Sequence, residues 1–149
     1  MHRLGSDFVV MDNVEAPYGT IDHVVYNRQG SIYLVEMRTN GGTVKAMGDR
    51  LLINGQAFEE DLVLHCRENS DWLKQKLEER LKVKAWVTPV VVFTNAFVEF
   101  GEPIRGVYYT NKKFLPKFLE KVEVGSPAGL KLWQMRGVSG GAAQQTTGA

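Results

Sequence analysis

Two short apolar runs, residues 20–27 (TIDHVVYN) and 31–38 (SIYLVEMR), are separated only by Arg28, Gln29 and Gly30. No other feature restricts the fold as tightly. Apolar and β-branched residues dominate both runs, and the glycine supplies the positive φ that a tight reversal needs, so the pair reads as an antiparallel hairpin. Each strand also carries one acid. Asp22 sits among Ile21, Val24 and Val25, and Glu36 shares a strand face with Ile32 and Leu34, with Arg38 next on that face. The two acids are equally far from the turn, so pairing sets them side by side.

A carboxylate in an apolar strand is costly to bury without a partner, and two neighbouring carboxylates repel each other. A bound Mg²⁺ or Mn²⁺ keeps both ionised, because hard cations take oxygen ligands, and the backbone carbonyl of Met37 offers a third oxygen. Taken alone, the same residues also fit a structural carboxylate pair with Glu36 bridged to Arg38.

The segment before the hairpin, DFVVMDNV, reads as a first strand that breaks at residues 15–19. Gly41-Gly42 and Asn54-Gly55 mark two further turns, flanking apolar stretches expected to extend the same meander. From Glu59 to about Lys82 the spacing becomes helical, with Phe58, Leu62, Cys66, Asn69, Leu73, Leu77 and Leu81 near one face. AWVTPVVVF then reads as a strand covered on both faces, and RGVYYT as another. KKFLPKFLEKV is a last helix, with Pro116 tolerable only in its first turn. The chain is mixed α/β, one domain over residues 1–124, followed by residues 125–149 as a mostly flexible segment whose end, GVSGGAAQQTTGA, is too poor in apolar residues to order itself.

Charge and cysteine content narrow the function classes. Lys and Arg number 18 against 17 Asp and Glu, so there is no broad positive field for nonspecific nucleic-acid binding, and any basic surface is local. The lone Cys66 excludes an internal disulfide and a cysteine zinc site, which suits a reducing, cytoplasmic setting. No run approaches bilayer-spanning length, and the first residues lack a signal-peptide pattern, so no membrane partner is expected.

The ordered motifs resemble the nuclease-related domain (NERD) family, a branch of the PD-(D/E)XK nucleases, over roughly residues 8–121. The elements are Ile21-Asp22-His23-Val24-Val25, a glycine turn, Glu36-Met37-Arg38 in the place of E-x-K, and Gly42-Thr43-Val44. Leu73 and Leu77 on a long helix follow, and then the W-V-x-P-V-V-V-F-like residues 86–93. The resemblance implies a restriction-endonuclease-like mixed sheet that begins as an antiparallel meander and is flanked by helices. It also implies Mg²⁺- or Mn²⁺-dependent phosphodiester hydrolysis of DNA by metal-activated water, with Asp22, Glu36 and Met37 as metal ligands and Asp22, Glu36 and Arg38 as catalytic residues. The alternative on the same scaffold is a catalytically silent module that binds nucleic acid or protein.

Two departures from the family pattern favour that alternative. Arg38 stands where the family has lysine, and arginine stays charged and cannot act as a general base. The family's leading helix with its glutamate does not fit in the few residues before Asp7, so a third acid is absent or supplied by Glu15. The front edge of the sheet would then be uncovered, and self-association into a homo-oligomer is expected.

Other candidates read as ordinary structure. His23 points to the face opposite Asp22, and Cys66 lies on the apolar stripe as a core residue. His65 borders that stripe, near the place where the family has a polar helix residue facing the site. Trp72, Trp86 and Trp133 are expected in the core, and the lysines at 82, 84, 112, 113, 117 and 121 on solvated helix surfaces.

Overall fold

The structure, a computed structural model, describes residues 7–138. Strands β1 (Phe8–Val14), β2 (Ile21–Asn27) and β3 (Ile32–Arg38) form the expected antiparallel meander. At its second turn Gly30 adopts φ 88°, and the Asn27 side chain accepts the Ser31 N–H at 2.9 Å, so glycine freedom and an Asn acceptor together close the hairpin. β7 (Thr88–Phe93) then lies parallel to β3, and β9 (Tyr108–Asn111) lies parallel to β7, completing a five-stranded sheet in the order β1-β2-β3-β7-β9. Pro89 is accommodated in β7 because β9 begins pairing only at Val90, leaving the proline one strand neighbour instead of two.

The expected extension of the meander is corrected here. β4 (Gly42–Met47), β5 (Arg50–Ile53), β6 (Gln56–Ala57) and β8 (Ala96–Val98) form a separate four-stranded sheet in the order β6-β5-β4-β8. The chain leaves the first sheet at Gly42, which has φ 123° and packs so closely on the Asn54 side chain that a Cβ would lie 2.5 Å from its nitrogen. The Asn54 oxygen accepts the Thr43 N–H, fixing this corner.

Helix α1 (Leu62–Leu81) is shorter at its start than its periodicity suggests. Asp61 caps it by accepting the Leu64 N–H at 3.0 Å, and Lys82 ends it in the left-handed region. Its buried face packs on the sheet, with Leu62, Val63 and Cys66 joining Val91 and Phe93 of β7, and Leu73 and Leu81 joining Val24 and Leu34. α2 (Leu115–Lys121) covers the opposite face, where Leu115 and Leu119 meet Val25, Tyr33, Val35, Val90 and Val92. β7 is therefore apolar at successive positions because helices cover both its sides. Pro116 sits in the first turn of α2, as its missing N–H requires.

Two further expectations are revised. Trp86 is 46% exposed rather than core, because it precedes β7 and reaches neither helix layer, whereas Trp72 and Trp133 are partly buried. The segment from Gly125 is not a tail as far as it is described. α3 (Pro127–Val138) packs on β2 and α1 and buries Ala128 completely, and the rest of the expected tail, residues 139–149, lies outside the described residues. At the turn itself the α3 backbone lies against that of the hairpin: a Cβ on Gly129 would stand 1.8 Å from the Gly30 carbonyl oxygen. Gly129→Ala must push the helix off the turn, at a cost of about 1–3 kcal/mol. A thermal melt is expected to show Tm lowered by roughly 3–10 °C.

Candidate metal centre

Register brings the two acids together. His23 pairs with Val35 and Val24 with Leu34, and one further step along the same ladder sets Asp22 opposite Glu36. Both project to the α1 side, because Val24 and Leu34, two residues away on each strand, belong to the core cluster under that helix. Asp22 also reaches along β3: its Oδ2 accepts the Met37 N–H at 2.7 Å. The pair lies towards the carboxyl end of β3, where β7 runs alongside with Val91 next to Glu36 and Phe93 next to Arg38.

Glu36 is the unusual group. It is 2% exposed, and its Oε1 is buried without a hydrogen-bond partner. Burial, reinforced by the Asp22 carboxylate and opposed by Arg38, pushes its pKa up to about 7. Arg38 supplies the nearest positive charge, with Nη1 3.7 Å from Glu36 Oε2 and also donating to the Met37 carbonyl at 2.9 Å. Its Nη2 is held at 2.8 Å by Glu60, an exposed residue just before α1.

These contacts sort the expected site residues. Asp22, Glu36, Met37 and Arg38 come together in one place. His23 does face the other way, and it has a partner there: its Nδ1 is 2.6 Å from Asp12 on β1. His65 is part-buried beside Asn69, with Nε2 3.4 Å from the Asn69 amide nitrogen. Cys66 is fully buried, and burial, with the Glu36 carboxylate as the next cause, holds its thiol well above the ordinary range, as befits a core residue. Glu15 is exposed and does not complete the site. Among the described residues no three His, Cys, Asp or Glu side chains gather as a metal cluster.

One residue at the site escaped the sequence. Glu60 could not be found, because its contact with Arg38 joins separate elements. Asn69, read from the sequence as part of the stripe, lies on the buried face of α1. It is completely buried with its Oδ1 unpartnered.

A family model described as nuclease-related domain matches residues 1–94, which include both acids, Arg38, α1 and β7. The chain belongs to that family. This nuclease-related domain matches no curated protein and no solved structure. The matched span ends just past β7, so β9, α2 and α3 complete the sheet and its cover from outside it. The restriction-endonuclease-like architecture expected from the motifs accords with the observed mixed sheet, its antiparallel beginning and its three flanking helices. No described helix is long and apolar enough to cross a membrane.

The raised pKa of Glu36 has a direct consequence for stability. The folded state holds a proton that the unfolded chain releases near pH 4.5, so this contribution is complete below pH 4.5 and is lost as pH rises through about 7. Without divalent metal, denaturant melts of Glu36→Gln are expected to match the parent near pH 4 and to exceed it by about 2–3 kcal/mol at pH 8. A parent whose stability does not fall between those pH values would contradict the assignment.

Proposed function

We propose that the domain hydrolyses phosphodiester bonds of DNA, using Mg²⁺ or Mn²⁺ held by Asp22, Glu36 and the Met37 carbonyl oxygen. The observation that carries this reading is the buried, unpartnered Oε1 of Glu36 opposite Asp22. A pair of acids kept under a helix with an oxygen left unsatisfied suits a hard cation, which would satisfy that oxygen and hold both groups ionised. When bound, the cation supplies Lewis-acid polarisation of the phosphate and acidification of a water.

The chain's own groups have distinct parts. Asp22 is oriented by the Met37 N–H, which leaves its other oxygen for the ion. Arg38 remains cationic throughout and is suited to a phosphate oxygen and to the charge that develops on it, but not to taking a proton. The proposed setting is cytoplasmic, with nucleic acid as the partner.

A second reading is a silent nucleic-acid- or protein-binding module, and Arg38 itself favours it. Its guanidinium already lies against Glu36, Glu60 and the Met37 carbonyl, so part of the acids' charge is met from within.

Plasmid nicking in Mn²⁺ separates the two. The parent is expected to nick, and Glu36→Ala to lose about a thousandfold, equivalent to several kcal/mol of lost stabilisation. Arg38→Lys is expected to nick faster as pH rises, since lysine can lose a proton. Calorimetric Mn²⁺ binding with no nicking by either parent or Arg38→Lys would establish the silent module. Self-association through β1, an edge strand of the first sheet, belongs to the same proposal, and light scattering that finds only monomer at high concentration would remove it.

A further inference from the structure

Strand β9 and helix α2 enclose a second concave surface that the acid pair does not use. It is a cavity of about 460 Å³ walled by Phe100, Tyr108, Phe114 and Phe118, with Lys117 and Lys121 on its α2 side. Phe100 and Phe114 meet edge to face with ring centres 5.2 Å apart, yet they are 57% and 40% exposed, so the contact between them leaves much of both rings open. Tyr109 also lines this groove, and its hydroxyl is buried with no hydrogen-bond partner. Gly101 lies against it, where a Cβ would approach the hydroxyl oxygen to 2.5 Å.

The lysines gather on the α2 wall, where Glu120 is also exposed, and Glu99 and Glu102 flank Phe100 on the other. Lys113, Lys117 and Lys121 recur every four residues along α2 and the turn before it, all exposed, and the Lys113 ammonium lies 5.9 Å from the Phe114 ring centre. Glu102 lines the groove as well, and belongs to the loop that carries Phe100 rather than to α2. Open rings suit the flat faces of unpaired bases, and a row of ammonium groups beside them suits successive phosphates. A duplex hides its base faces in its own stack and presents no such surface.

We infer that this groove binds single-stranded nucleic acid, with bases against Phe100 and Phe114 and the backbone along Lys117 and Lys121. The inference rests on the preceding reading in taking nucleic acid as the ligand. The register connects the two places: Arg38 of β3 is level with Phe93 of β7, which is level with Asn111 of β9. Lys112 and Lys113 follow Asn111 directly, two strand spacings or roughly 10 Å from the acid-bearing strand. The groove opens on the α2 face of the sheet and the acids lie on its α1 face, so a strand leaving the groove over these lysines would cross the carboxyl-end edge of the sheet to reach Asp22 and Glu36.

The test is anisotropy of a fluorescein-labelled oligothymidylate titrated with the full chain in EDTA, where no cleavage is needed. Single strand is expected to bind more tightly than a duplex of equal length. Phe100→Ala is expected to weaken it about tenfold and Phe100→Trp to retain it. The double substitution Lys117→Gln with Lys121→Gln is expected to reduce the salt slope by about 0.7 per lysine. All three side chains are exposed, and unchanged thermal melts check that the variants fold. No binding by the parent, preference for duplex, or variants that bind as the parent does would each overturn the inference. Its failure is distinct from that of the hydrolysis reading. Nicking that requires Glu36 while the groove variants bind normally removes the groove alone, and oligonucleotide binding that follows the groove without nicking supports the groove and removes hydrolysis.

Discussion

The site depends on two carboxylates being held opposite each other by an antiparallel register. A one-residue slip would turn Asp22 to the other face of the sheet and leave Glu36 buried alone. Several contacts prevent that slip. Gly30 fixes the turn, apolar residues on both faces of β2 and β3 are committed to different helices, and the Met37 N–H holds Asp22 from beyond the last paired residue. The acids are therefore placed by the core, not by attraction between them. Their repulsion, together with burial, is stored in the high proton affinity of Glu36.

Arg38 decides how that stored repulsion is relieved. Its charge is shared among Glu36, Glu60 and a backbone carbonyl, so it compensates the pair without satisfying Glu36 Oε1. A lysine at the same place would offer a point charge that can be neutralised, whereas the planar guanidinium offers several fixed donors and a permanent charge. Arginine instead of lysine at this position thus fixes the charge facing Glu36 at every ordinary pH.

Most of the first sheet was legible because its signals are local. The hairpin, the helical stripe of α1, the doubly covered β7 and the proline at the start of α2 each follow from a short window of residues. So did the meeting of Asp22 and Glu36, since the turn lies midway between them. What could not be read depends on distant pairings. The second sheet exists because β4 pairs with β8, some fifty residues on in the chain, and nothing in the apolar pattern of either strand distinguishes that partner from β3. Glu60 reaches Arg38 across separate elements, and Trp86 looked like core because bulk favours burial, although its position before β7 leaves it uncovered. α3 was missed for a related reason. Residues 125–149 read as mostly flexible because of their glycine-rich, polar end, and the role of Gly129 is visible only where Gly30 lies beneath it.

That last contact bears on the order of events during synthesis. The helix that presses on the turn of the acid-bearing hairpin is made about a hundred residues after it. Until Gly129 arrives, the loop at Gly30 has no lid, and the far end of the hairpin is free to fray. A nascent chain would thus assemble its acids on a hinge that tightens only after about a hundred further residues have been added.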